Sequence, residues 1–190
     1  MSDIFKINAH ACIQCNPKTG FYETIDVTAV VDEIRKHLHI VTVLETDEML
    51  QYVNGIYIKG AEKYLSSIVV HNLRELRDWK GRPMYNNKVM NEILSQFKYL
   101  TYVETKEFDA NIDIINMKNG LYNWRTDEFF PHTPTYLSRI QIPVAYDPNA
   151  TCEILDEMIR DILQPQDYIK ILELIAYCYY RRYDIQKAFI

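Results

Sequence analysis

The order of apolar and polar positions divides the chain into stretches of helical and extended period. From Asp26, a residue type suited to an N-cap, Val27, Val30, Val31, Ile34 and Leu38 keep three-and-four spacing up to His39, which predicts one amphipathic helix. The period then falls to two. Residues 40–44 predict a strand, and 50–58 predict a hairpin turning at Asn54-Gly55, a dipeptide that supplies the positive φ angles of a two-residue turn. Helical spacing returns over 61–79, with Leu65, Ile68, Val69, Leu73 and Leu76 on one side, until Lys80-Gly81-Arg82-Pro83 breaks it. A second helix is expected over 85–99 through Val89, Ile93, Leu94 and Phe97, and a strand over 101–104. Residues 40–105 therefore read as a helix-turn-helix with flanking strands, the plan of a winged helix.

From 112 to 146 the pattern is β. Residues 112–117 lead into a second Asn-Gly turn at Asn119-Gly120, and Arg125-Thr126-Asp127 turns the chain again before Phe129-Phe130. Thr151 is then expected to cap a helix that turns Leu155, Met158, Ile159, Ile162 and Leu163 inward, and Pro165 opens another. That last helix is apolar over most of its girth, through Tyr168, Ile171, Leu172, Leu174, Ile175 and Tyr179, so it is expected to be buried between elements. Residues 185–190 begin as a strand with nothing to terminate it. The whole reads as an α+β chain in three parts: an irregular segment 1–25, a winged-helix-like unit 26–110, and a unit of β-hairpins and a C-terminal helix pair over 111–190.

Composition narrows what such a chain does. With 48% hydrophobic and 25% charged residues it can bury one sizeable core or two small ones. No stretch approaches the roughly 18 apolar residues of a membrane span, and the start lacks the basic and apolar segments of a signal peptide, so a cytoplasmic protein is expected. A net charge of -5 argues against a surface coated for nucleic acid, and the fifteen tyrosines mostly alternate with aliphatic residues as packing positions do. One segment departs from that balance. Residues 59–98 hold eight Lys and Arg side chains against four carboxylates, and this basic stretch coincides with the expected helix pair. Lys80 and Arg82 in the break and Lys88 at the start of the second helix are the candidate DNA contacts, against the blander reading of a solvated helical face.

Catalytic patterns are missing. The five glycines, at 20, 55, 60, 81 and 120, are isolated, so no loop cradles a phosphate, and none of the spacings of zinc proteases, serine hydrolases or dinucleotide folds occurs. Cys12 and Cys15 could share a zinc ion with His10, His37 or His39, but no second clear ligand pair exists. Reduced free thiols are the default, and neither a catalytic nor a metal site is assigned.

Three short pieces carry a family resemblance through their order and spacing. They are Ile115-Asn116-Met117-Lys118-Asn119-Gly120, then Pro131-His132-Thr133-Pro134 with Tyr136-Leu137, then Ile142-Pro143-Val144-Ala145-Tyr146-Asp147-Pro148-Asn149-Ala150. Followed by two helices and Gln186-Lys187-Ala188-Phe189, they resemble the segment preceding the ATPase core in phage- and plasmid-type primase-helicases, a group that includes the poxvirus replicative helicase. Residues 40–110 fit more loosely, and 1–39 carry no part of the resemblance. It implies a parent protein that is a superfamily III helicase, a ring-forming DNA motor using ATP and magnesium and often fused to a primase. The strand near Gln186 would lead into the ATP loop, which this chain lacks, so the segment is expected to be non-catalytic. It would act as a collar or docking domain whose partners are DNA, the ATPase domain of the same chain and further copies in a ring. The alternative is a free-standing winged-helix DNA-binding regulator; a zinc-stabilised interaction module is a third reading.

Overall fold

The computed structural model describes residues 5–181, apart from the side chains at 9 and 10. The strand expected over 185–190 and the side chain of His10 lie outside the described residues. The chain divides after Phe108 into two compact units. Together these hold five α-helices and three small sheets among the described residues, the mixture of α and β structure that the changes of period imply.

The first unit opens with a short hairpin, β1 (Ile13–Cys15) and β2 (Tyr22–Ile25), and α1 (Val27–Arg35). Asp26 caps α1 as expected, its carboxylate accepting the Ala29 N–H at 3.0 Å. Then come β3 (Ile40–Val43), β4 (Glu48–Val53), β5 (Ile56–Lys59), α2 (Ala61–Leu73), α3 (Asn87–Thr101) and β6 (Tyr102–Val103). The sheet order is β5-β4-β3-β6, antiparallel except for β6, which runs parallel to β3. Asn54 and Gly55 turn the β4–β5 hairpin with φ of 49° and 92°, the left-handed pair this turn requires.

Val30, Val31 and Ile34 of α1, Leu65, Ile68, Val69 and Leu73 of α2, and Ile93 and Phe97 of α3 form one buried core with Ile40 and Met49 of the sheet. These are the apolar stripes read from the sequence, brought face to face. Thr42 is fully buried beside them and satisfies its hydroxyl against Thr101 Oγ1 at 2.9 Å. Tyr57 contributes an aromatic layer with Tyr52 and Phe108, and burial pushes its phenol up to about 12.

Two expectations for this unit change. Residues 7–25 are not a separate irregular piece, because Ile7, Cys12 and Ile25 enter the core, and Asn72 of α2 accepts the Ile7 N–H while donating to the Phe5 carbonyl. In addition, α2 stops at Leu73 rather than 79. The Asp78 carboxylate accepts the backbone N–H groups of Lys80 and Arg82 and the Arg82 Nε–H, closing a tight loop with Gly81 at φ 77°. A local side-chain acceptor has outcompeted the helical ladder. A loop over 74–86 therefore separates α2 from α3, and the β4–β5 hairpin precedes the helix pair in the chain.

The second unit begins with an antiparallel meander, β7 (Ile114–Met117), β8 (Gly120–Asn123) and β9 (Glu128–Phe130), followed by α4 (Glu153–Ile162) and α5 (Tyr168–Tyr177). The second Asn-Gly pair does not repeat the first. Met117 pairs with Gly120, so the turn residues are Lys118 and Asn119, neither with positive φ, and Gly120 lies in β8. Thr151 is not the cap of α4 either; Cys152 holds that position and makes no side-chain cap bond. Of the apolar residues expected to face inward from α4 only Ile159 is buried, and no residue of α5 is, so both helices present apolar side chains outward.

Candidate nucleic-acid interface

The loop after α2 is held on the β1–β2 hairpin by aromatic contact. Trp79 stacks on Phe21 with ring centres 5.1 Å apart and planes 17° from parallel, and its backbone N–H donates to the Tyr22 carbonyl at 3.4 Å. Both rings stay open to solvent, Phe21 at 48% and Trp79 at 52%. Lys80 reaches back over the indole, its Nζ 4.5 Å from the ring centre, and makes no ion pair among the described residues. Its positive charge sits on an exposed aromatic surface.

Arg82 is fixed differently. Its Nε donates to Asp78 Oδ2 at 2.7 Å, leaving the rest of an exposed guanidinium fork pointing outward. The Arg82 contacts contribute to holding the Asp78 carboxyl below its usual range against the opposing effect of burial, which is the largest single influence on it. Lys88 is the second residue of α3, whose first free N–H groups are capped by the Asn86 side chain. Its ammonium lies 3.9 Å from Glu92, one turn along. With Asn91, Glu92, Ser95 and Gln96 it lines a shallow open groove of about 540 Å³ along the exposed face of α3. Lys, Asn, Ser and Gln are side chains that read phosphates and base edges.

Lys80 and Arg82 thus share one loop, and Lys88 stands on the outer face of the following helix. The sequence reading passed over Phe21 and Trp79, because it placed Trp79 at the end of a helix and weighed only the tyrosines among the aromatic residues. The available signal was the adjacency of Trp79 to Lys80 within a turn, where an aromatic ring has little core to join.

Cys12 and Cys15 have different surroundings. Cys12 is buried, with its thiol on the Asn8 carbonyl and pushed up mainly by burial, whereas Cys15 is exposed on β1. No group of three metal-ligating side chains occurs among the described residues. At the glycine-capped start of α2, Glu62 stands in the first turn, where it would repel a phosphate.

In the second unit the pieces of the sequence resemblance meet. Asn116 of β7 donates to Ser138 Oγ at 2.9 Å, while its carbonyl oxygen faces His132 Nε2 at 3.0 Å. That ring nitrogen also lies 2.9 Å from the Met117 carbonyl, an acceptor only, so Nε2 carries the proton. Ser138 in turn reaches the Asp109 carboxylate at 2.6 Å. Asn119 clamps the Tyr146 backbone, accepting its N–H and donating to its carbonyl. These contacts fasten the fold, with Ser138 and His132 each bound to Asn116.

The family model described as D5 N terminal like matches residues 9–164. The chain belongs to the D5 N terminal like family. This family is the N-terminal domain of D5-like phage and viral primase-helicases, in agreement with the resemblance drawn from the motifs. The D5 N terminal like match takes in the polar fasteners, the basic loop and most of the N-terminal segment that the motifs left unassigned. No curated protein matches the chain. No described helix is long and apolar enough to cross a membrane.

Proposed function

We propose that this chain is the non-catalytic N-terminal segment of an ATP-driven replicative DNA helicase of superfamily III. Its first unit engages DNA, and its second docks on the ATPase domain and on neighbouring subunits of a ring. ATP and magnesium would be handled by the ATPase domain. Family membership supports the replicative setting and does not favour the free-standing regulator.

The observation that carries the DNA role is the exposed polar face of α3 together with the cationic loop of Lys80 and Arg82 that precedes it in the chain. The winged-helix reading rests on the same parts, an exposed helix and the β4–β5 hairpin, though their chain order differs from that plan. Phosphate neutralisation by three cations should give a binding constant that falls steeply with salt. Replacing Lys80, Arg82 and Lys88 together by alanine is expected to weaken DNA binding and reduce the slope of log K against log salt by roughly one per lost contact. Titration across a salt series measures both, and binding that is unchanged in strength and slope rejects the assignment.

A further inference from the structure

The phosphate contacts say nothing about the form of DNA, but the rings beside them do. Phe21 and Trp79 are stacked on each other, half open to solvent, and edged by a cation that has no carboxylate partner among the described residues. A protein that needed these rings only for packing would bury them, as the first unit does with Phe97 and Tyr57. Duplex DNA cannot use such a surface without unstacking, because its base faces are already occupied by neighbouring pairs. A single strand can, since every base then has a free π face and every nucleotide a phosphate.

We propose that Phe21 and Trp79 form a stacking platform for the bases of single-stranded DNA, with Lys80 as the phosphate contact beside it. This deepens the DNA-engagement reading and rests on it. In the unliganded chain the Lys80 ammonium lies over the indole, where a cation is attracted to the ring. A base arriving at the ring displaces it, and the flexible side chain carries the charge to the adjacent phosphate. One weak cation–ring contact is exchanged for a base stack and a phosphate contact, both of which only a single strand provides together. Tyr22, also exposed and joined to Trp79 through its backbone carbonyl, extends the aromatic edge of the hairpin. The charge nearby is complementary: Asp78 is held by Arg82, and Glu75 by Arg74 and Arg77, leaving Lys80 without a carboxylate to neutralise it.

The test uses the 190-residue chain with an oligothymidylate and a blunt duplex of equal length. Trp79→Ala and Phe21→Leu are each expected to weaken oligothymidylate binding about tenfold while leaving duplex binding unchanged. Trp79→Phe, which keeps a ring, should retain most of the affinity. Indole fluorescence should be quenched by the single strand and not by the duplex, and the quench should vanish in Trp79→Phe although Trp124 remains. Thermal melting of each variant shows whether the fold is kept; Phe21→Leu preserves apolar contact and covers the case in which Trp79→Ala unfolds. Folded variants that bind the single strand as tightly as the parent overturn the platform. If they do so while the triple replacement of Lys80, Arg82 and Lys88 still weakens binding, only the platform falls. If the chain binds neither form of DNA, both readings fall and the rings are a protein contact.

Discussion

Gly120 shows how one residue can be recognised in a sequence for the wrong reason. As part of Asn119-Gly120 it reads as half of a two-residue turn, like Asn54-Gly55, but it sits in β8 without the positive φ such a turn would use. What excludes a side chain is space: a Cβ there would lie 2.4 Å from the Phe130 carbonyl oxygen and 2.5 Å from Phe129 Cζ. Phe129 in turn stacks on Tyr146, whose backbone Asn119 clamps, so the glycine admits a ring that holds two motif pieces together. Gly120→Ala is expected to destabilise the second unit by about 2 kcal/mol, typical of overpacking against backbone. Denaturant unfolding measures it, and Gly55→Ala, strained through its φ instead, should act on the first unit. Neither the spacing of His132 from Asn116 nor the composition of 131–137 shows that these residues bond to each other. The motifs were legible as an ordered pattern, and their polar contacts became visible only once the meander brought distant positions side by side.

Among the elements, those with a stripe to bury were the most legible. α1 and α3 carry one apolar face each, and the face read from the sequence is the face buried, because only one rotation about the helix axis removes it from water. Where a short loop decides, the sequence says less. The β3–β4 connection is held by Asp47, at φ 57°, which accepts from Lys98 Nζ at 2.6 Å and from the Tyr102 hydroxyl at 2.7 Å. The Lys98 hydrogen bond, then that of Tyr102, holds the Asp47 carboxyl below its ordinary range, and Lys98 is raised in turn. A carboxyl depressed in the folded state contributes stability above its unfolded value, near about 4, and loses that contribution as pH falls through the folded value. Asp47→Asn should therefore lower stability near neutrality and flatten its decline on acidification. Melting temperature followed from neutral to acidic pH checks the sign; parallel curves for the two proteins would show that the loop carries no such linkage. Lys98 adds the opposite limb, stabilising at neutral pH and losing its contribution only as pH rises through its raised value.

At the scale of the whole molecule, the two units differ in how completely each buries its apolar residues. In the first, helices and sheet close over a shared core. In the second, α4 leaves Ile154 80% and Ile162 72% exposed, with Met158 between them on the same stripe, while Ile159 alone is buried. The periodicity that predicted inward-facing residues was sound as a statement that this stripe avoids water. It could not say whether the covering surface belongs to the described chain. Exposed aliphatic residues at i, i+4 and i+8 are the pattern of a helix face that another surface covers, and the proposed docking on the ATPase domain or a neighbouring subunit would supply one. Ile154→Ser with Ile162→Ser makes the distinction. Because both side chains already meet water in this chain, the pair should change its unfolding free energy by less than about 0.5 kcal/mol each. In the proposed helicase ring the same pair should weaken subunit association, moving the sedimentation profile toward smaller species at a given concentration. A large loss of stability in the isolated chain would mean that the stripe is internal packing. An unchanged sedimentation profile beside an unchanged melting curve would mean that ring assembly does not use it.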